Sequence, residues 1–218
     1  MQRLIIAIDG PSGAGKGTIS RTVSQALGYK HIDTGAMYRA VGWKAQAEGL
    51  ALDDEPAVAA LAQRAVIVVD GGVVVIDGHD VTRAIRTPDM DKAATSVARL
   101  PRVREALVAR QREMGANGGV VMEGRDIGTV VFPNADVKIY LDASEDERAR
   151  RRANDPAHSG SEVGHAAVAE AIKARDTADT TRIASPLTLA PDAIRIDTTS
   201  MPIHEVVDRV MQIVRSKT

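Results

Sequence analysis

The sequence predicts an α/β fold, a parallel sheet flanked by helices and interrupted by a small antiparallel insert. Three observations predict it. Short apolar runs alternate with amphipathic segments along most of the 218 residues; the first run leads at once into a glycine-rich turn and a helix; and one stretch, from Asp53 to Leu100, breaks the alternation with two adjacent valine-rich runs. At 44% hydrophobic the chain can bury one core with appendages. A single domain is expected, with a core of 1–52, 101–147 and 178–218, an insert over 53–100, and a lid over 148–165 followed by a helix over 166–177.

The run at 3–9 is continuously apolar up to Asp9, as suits a parallel strand buried on both faces. Ile19, Val23, Ala26 and Leu27 then recur at helical spacing, and Gly28 can cap that helix. Residues 30–33 read as a second strand, with Thr34 capping a helix to about Glu48. In the insert, Asp54, Glu55 and Pro56 open a short helix. The runs 66–70 and 73–77, joined at Gly71 and Gly72, form a hairpin, which cannot be a crossover in a parallel sheet. A third short strand near Val81 and a helix from Asp89 to Arg99 complete it. The alternation resumes with a helix from Pro101 to about Met114 and strands at 119–123 and 137–141. Ser144 and Glu147 suggest a capping box for an Arg-rich helix. Asn154 to Gly164 reads as a mobile loop, and a last strand near Ala193 to Ile196, the fifth of the parallel set, precedes an amphipathic helix begun by Pro202.

Composition narrows the function. The 28 Lys and Arg balance 29 Asp and Glu, so no overall basic field attracts a polyanion, and 2% aromatic residues leave little to stack on bases. Nucleic acid is not an expected partner. Within the cations Arg outnumbers Lys by 21 to 7; arginine forks grip phosphate bidentately, although a GC-rich genome enriches arginine too. The absence of cysteine excludes disulfides, thiol nucleophiles and cysteine-held metals. The five histidines, His31, His79, His158, His165 and His204, lack the spacing of a zinc hydrolase and read as surface or packing residues. The run Leu4 to Ile8 is too short for a signal-peptide core and nothing later could span a bilayer, so a cytoplasmic protein with no membrane partner, and a monomer, is expected.

The chemistry lies in Gly10, Pro11, Ser12, Gly13, Ala14, Gly15, Lys16, Gly17 and Thr18, set between a buried strand and a helix. Glycines let backbone N–H groups close around phosphate oxygens, the helix N-terminus adds partial positive charge, and Lys16 reaches the β- and γ-phosphates of a nucleoside triphosphate. Gly17 occupies the place usually held by a Mg²⁺-binding Ser or Thr, with the hydroxyl one residue on at Thr18. A structural glycine turn would not need strand and helix in this order.

This loop resembles that of the nucleoside monophosphate kinases, and the segments 8–18, 33–40, 101–107, 124–133, 138–144 and 172–176 are similar, in order and spacing, to those of the bacterial cytidylate kinases. The resemblance implies a P-loop kinase core with a five-stranded parallel sheet, a monophosphate-binding insert containing a small antiparallel sheet, and a short lid. It implies that Thr34, Arg39, Arg125 and Arg182 hold the acceptor's phosphate, that Thr95, Arg104 and Asp126 read cytosine, that Arg175 and Asp179 hold the sugar hydroxyls, and that Arg151 and Arg152 belong to the lid over ATP. The family more often carries Ser at the positions of Thr34 and Thr95; the hydroxyl is retained. Lys16, Arg125 and Arg182 are then the catalytic cations. Mg²⁺ accompanies ATP, through Thr18 or otherwise through phosphates and water.

The implied reaction is transfer of the γ-phosphoryl group of MgATP to CMP or dCMP, giving CDP or dCDP and ADP, in pyrimidine nucleotide metabolism. The alternative is a kinase of the same fold acting on UMP, AMP or a shikimate-like metabolite. A GTPase switch shares the loop, but the chain has no Asp-x-x-Gly and no Asn/Thr-Lys-x-Asp to sense γ-phosphate and read guanine. Taken without the resemblance, any one of these Arg or Asp residues is an ordinary surface ion pair.

Overall fold

In a computed structural model, which describes residues 3–155 and 165–217, the strands β1 (Ile5–Asp9), β2 (Lys30–Asp33), β6 (Val120–Gly124), β7 (Val137–Asp142) and β8 (Ile194–Asp197) form one parallel sheet in the order β2-β6-β1-β7-β8. β1 lies at its centre because Ile6, Ala7 and Ile8 are apolar on both faces and fully buried. Register decides what this sheet presents. Asp9 lies opposite Gly124, and Asp33 opposite Glu123, so the carboxyl-terminal ends of β1, β2 and β6 bring these groups to one edge. Ligands of open α/β sheets bind at that edge, where the strand order reverses.

The helices α1 (Lys16–Leu27) and α8 (Ile203–Arg215) cover one face, packing Ile19, Val23, Val206, Val210 and Ile213 against Ile6, Ile8, Ile139 and Leu141. On the other face, Val108 of α5 (Pro101–Gly115) joins Ala7, Ile32, Met122 and Ile127. α1 ends where Gly28, at φ 65°, takes the left-handed conformation that a Cβ disfavours.

Residues between α2 (Thr34–Ala47) and α5 build the insert: α3 (Glu55–Arg64), the antiparallel strands β3 (Ile67–Asp70), β4 (Val73–Ile76) and β5 (His79–Asp80), and α4 (Pro88–Val97). Asp70 pairs with Val73 across Gly71 and Gly72, both at positive φ (57° and 92°), as a two-residue hairpin turn requires. Ile67, Val69, Val74 and Ile76 face inward while Val68 and Val73 face water. Their core also contains Met37 and Val41 of α2 and Val103 and Leu107 of α5, so the insert is anchored through these two helices.

Several local expectations change. Asp33, not Thr34, caps α2: its carboxylate accepts from the Ala36 N–H at 3.0 Å, which frees the Thr34 hydroxyl to donate to the Glu123 carbonyl at 2.7 Å. The Ser144 hydroxyl caps α6 (Glu145–Ala153) through the Glu147 N–H, but the reciprocal half of a capping box is absent among the described residues, because the Glu147 carboxylate is taken by Arg150 and Arg151. α7 runs from His165 to Thr181, past the expected end at 177, which puts Arg175 and Asp179 on one helix. A π-helical turn, Ile127–Val131, follows β6 where no element was foreseen. The expected loop over Asn154 to Gly164 lies, beyond Asp155, outside the described residues.

Candidate active site

The phosphate loop is shaped by close approach. Gly10 sits so near β7 that a Cβ there would lie 2.0 Å from the Leu141 carbonyl oxygen. At Gly13 a Cβ would meet the Arg148 backbone oxygen at 2.9 Å. Lys16 opens α1 and its Nζ donates to the Pro11 carbonyl at 2.7 Å, folding the side chain back along the loop. Burial first, and then the charge of Arg125, lowers the Lys16 pKa to about 7. Two residues clasp the loop from outside. Arg148 of α6 donates to the Ser12 carbonyl at 3.1 Å, Asp176 of α7 accepts from the Ser12 N–H at 3.3 Å, and the two are themselves ion-paired.

Ser12 to Thr18 line one wall of a cleft of about 780 Å³, and Thr34, Arg39, Thr95, Arg104, Arg125, Asp126, Arg151, Arg152, Arg175, Asp179 and Arg182 line the rest. Gly10 and Pro11 are buried beneath it. Of the residues expected from the sequence, all but Gly10 and Pro11 line this one cleft. Arg86, Asp33, Glu123 and Glu147 line it too and were not foreseen.

The arginines are held in pairs with acids. Asp33 accepts from Arg39 at 3.0 Å and Arg86 at 3.1 Å; burial pushes its pKa up, but the two guanidinium groups outweigh that and leave it far below the usual carboxylate range. Asp179 accepts from Arg125 Nε at 2.8 Å and faces Arg182 at 3.5 Å, and Arg125 and Arg175 likewise overcome burial to lower its pKa. Asp126 accepts from Arg104 Nη2 at 2.5 Å and lies 3.9 Å from Arg182. Arg125 is thus oriented by Asp179 and not by its sequence neighbour Asp126. The Arg104 guanidinium also lies 5.2 Å over the Tyr38 ring, a cation–π contact in a pocket closed by Ala94 and Ala98. Thr95 donates its hydroxyl to the Asp91 carbonyl at 2.9 Å and keeps its oxygen as an acceptor.

Three buried guanidinium nitrogens, Arg39 Nε, Arg104 Nε and Arg182 Nη2, have no hydrogen-bond partner among the described residues. Each such donor costs on the order of 1–3 kcal/mol unless something supplies an acceptor, and all three sit on the cleft. Arg151 binds the Thr198 carbonyl at 2.6 Å and the Glu147 carboxylate at 2.8 Å, with its Nη1 3.7 Å from where a Gly15 Cβ would be. It therefore lies over the phosphate loop.

The Glu123 carboxylate stands beside that loop, 3.6 Å from the Cβ position of Gly17, and is held by His31 Nε2 at 2.8 Å. His31 is a packing residue, as expected, but what it packs is a site carboxylate. A hard oxygen donor at Glu123 and the Thr18 hydroxyl on the same cleft fit a Mg²⁺ ion, which keeps most of its shell as water and phosphate oxygens and takes only one or two protein ligands. Asp9 is spoken for by the fold: burial raises its pKa to about 6 although it accepts from the Ile127 and Gly128 N–H groups at 2.9 and 2.7 Å.

Known proteins share this architecture and much of the sequence. The gluconokinase from Sinorhizobium meliloti 1021 superposes with a TM-score of 0.55 over 99% of this chain and 94% of its own, at 14% identity, which concerns the fold alone. The cytidylate kinase of Solibacter usitatus (strain Ellin6076) is 47% identical over 218 residues, covering 99% of this chain and 94% of that one. That of Pelotomaculum thermopropionicum is 51% identical over 211 residues, covering 94% and 93%. The family model described as cytidylate kinase matches residues 6–216. The chain belongs to the cytidylate kinase family.

Proposed function

We propose that this chain transfers the γ-phosphoryl group of MgATP to CMP or dCMP, releasing ADP and CDP or dCDP. The observation that carries the proposal is the cleft itself, where a phosphate loop with a buried lysine faces arginines whose unpartnered N–H groups await an anion. Family membership and identities of 47 and 51% to named cytidylate kinases support the choice of acceptor. Among the described residues no helix is long and apolar enough to cross a membrane, which accords with a cytoplasmic enzyme on soluble nucleotides.

In the proposed reaction a phosphate oxygen of CMP attacks the γ-phosphorus, the bond to the β-bridging oxygen breaks, and ADP departs with that electron pair. No general base is required, because a phosphate monoester with a second pKa of about 6 is largely dianionic at neutral pH. The chain's work is to hold two anions in line and to stabilise charge as it spreads over the transferring group. Lys16 serves the β- and γ-phosphates, Arg39, Arg125 and Arg182 serve the acceptor phosphate, joined by the Thr34 hydroxyl once it turns from the Glu123 carbonyl, and Arg175 and Asp179 serve the sugar. Thr95, Arg104 and Asp126 read the base, while Arg151 and Arg152 close over ATP. Mg²⁺, near Glu123 and Thr18, would neutralise charge on the β- and γ-oxygens.

A coupled assay of ADP release with CMP, dCMP, UMP, AMP, GMP and shikimate tests this reading. Turnover should be fastest with CMP and dCMP; a preference for AMP or shikimate would overturn it.

A further inference from the structure

The arginines of the cleft share one more acid, and it comes from the insert. Asp91, in the first turns of α4, takes Arg175 Nη1 of α7 at 3.1 Å, lies 3.7 Å from Arg39 Nη1 of α2, and is ion-paired with Arg152 of α6. Three guanidinium groups from three elements thus converge on a single carboxylate, whose side chain is 15% exposed. Among the causes acting on Arg39, Arg152 and Arg175, the Asp91 charge opposes both burial and the repulsion of neighbouring guanidinium groups. Like charges gathered this closely need an anion among them. Asp91 helps to supply it.

We infer that Asp91 is an internal competitor of the acceptor's phosphate, and so a specificity-determining residue: it holds Arg39 together with Arg152 and Arg175 until a phosphate dianion takes Arg39 over, leaving Arg175 to the sugar and Arg152 to the donor side. This rests on the acceptor site proposed above. A carboxylate offers one charge and two oxygens, whereas a phosphate monoester offers close to two charges and three oxygens, so the dianion wins the same donors. An acceptor without that charge does not displace the carboxylate. Because Arg152 belongs to the lid helix, releasing it from Asp91 also frees a cation for the donor side of the cleft, so occupation of the acceptor site prepares closure over ATP.

The test is calorimetric titration with CMP and with cytidine, on the wild type, Asp91→Asn, Asp91→Ala and Asp89→Asn. Asp89 is the control: it sits on the same helix, is 83% exposed and pairs with Lys92, so its substitution removes the same charge without touching the arginines. Removing a competing state that holds the site about nine-tenths of the time should tighten CMP binding by about tenfold in both Asp91 variants. Cytidine binding and the Asp89→Asn variant should stay unchanged. The KM for CMP should fall correspondingly. CMP bound equally or more weakly by both Asp91 variants overturns the inference, since it would make Asp91 a support for the arginines rather than a rival. If both Asp91 variants fail to fold, shown by loss of the thermal transition, the acid is structural and the inference also falls. A wild type that forms no CDP would refute the proposed function itself, and with it the inference; a wild type that does, alongside Asp91 variants with no gain, refutes the inference alone.

Discussion

The Lys16 ammonium is buried in a loop shaped for anions, and its pKa of about 7 against an ordinary 10.5 makes its charge depend on what the loop holds. Between those two values the unfolded chain binds the proton that the folded chain has released, so this group's cost to stability is fully present below pH 7 and disappears as pH rises toward 10.5. Urea unfolding at pH 6.5 and 9 should show wild-type stability gaining on that of Lys16→Met at the higher pH; parallel behaviour would contradict the assignment. Nucleotide phosphates should restore the charge, so ATP binding at pH 8 should take up a proton, seen as a dependence of binding enthalpy on the buffer's ionisation enthalpy. Lys16→Ala should keep the fold and lower kcat by roughly a thousandfold, because the charge acts on the transferring group. For Asp126, whose partner is Arg104 rather than Arg125, Asp126→Asn should lower kcat/KM for CMP by at least about tenfold and narrow the ratio of CMP to UMP, since an amide no longer demands the amino group that uracil lacks. An unchanged ratio would confine Asp126 to positioning Arg104.

Among the elements, the phosphate loop was legible in the sequence because nine consecutive residues carry its chemistry and a buried strand and an amphipathic helix frame it. The hairpin was legible for the same reason: its period of two and its paired glycines are local. The π-helical turn was not, because what holds it is Asp9, more than a hundred residues earlier, whose carboxylate takes the Ile127 and Gly128 N–H groups. Arg148, Asp176, Asp33 and Asp91 were likewise missed as site residues. Apart from Asp33, whose partner Arg39 is six residues away, their partners lie far along the chain, 84 residues apart for Asp91 and Arg175, and such pairs leave no periodic trace. The fraying of expectation at α7 has a similar origin, since its last turn is tied down by Asp179 pairing with Arg125, and Arg182 just beyond it lies 3.9 Å from Asp126. The turn after β6 carries Arg125 and Asp126 at its start, so its anchor should matter to catalysis. Asp9→Ala leaves two buried N–H groups without their acceptor and should cost roughly 2–4 kcal/mol in urea unfolding. It should also depress kcat for CMP at saturating ATP; a stable, fully active variant would show that the turn holds itself.

Among its described residues the molecule as a whole joins three hydrophobic clusters, and the proposed substrates divide along the two larger ones. One, built from α2, the insert and α5, contains Leu61 and carries Arg39, Thr95 and Arg104 of the acceptor side; the other, built from α1, β1, β7, β8 and α8, contains Leu141 and carries the phosphate loop. Both leucines are fully buried. Truncating either to alanine leaves a cavity and should cost about 2–5 kcal/mol, so overall stability cannot tell the two apart. Binding should. A cavity at Leu61 loosens the packing of α3 against α2 and α5, and hence the spacing of Arg39 from Arg104, while the loop between β1 and α1 keeps its support. A cavity at Leu141 lies in the strand whose carbonyl abuts Gly10, so it loosens the loop while leaving the insert packed. Leu61→Ala should therefore raise the KM for CMP several-fold more than that for ATP, and Leu141→Ala should do the reverse. Measuring both constants in both variants at a temperature well below their unfolding transitions checks this. If each truncation weakens CMP and ATP to the same degree, the cores act as one mechanical unit and the division of labour fails; if the effects cross as described, the acceptor and donor halves of the site owe their geometry to separate sets of buried side chains.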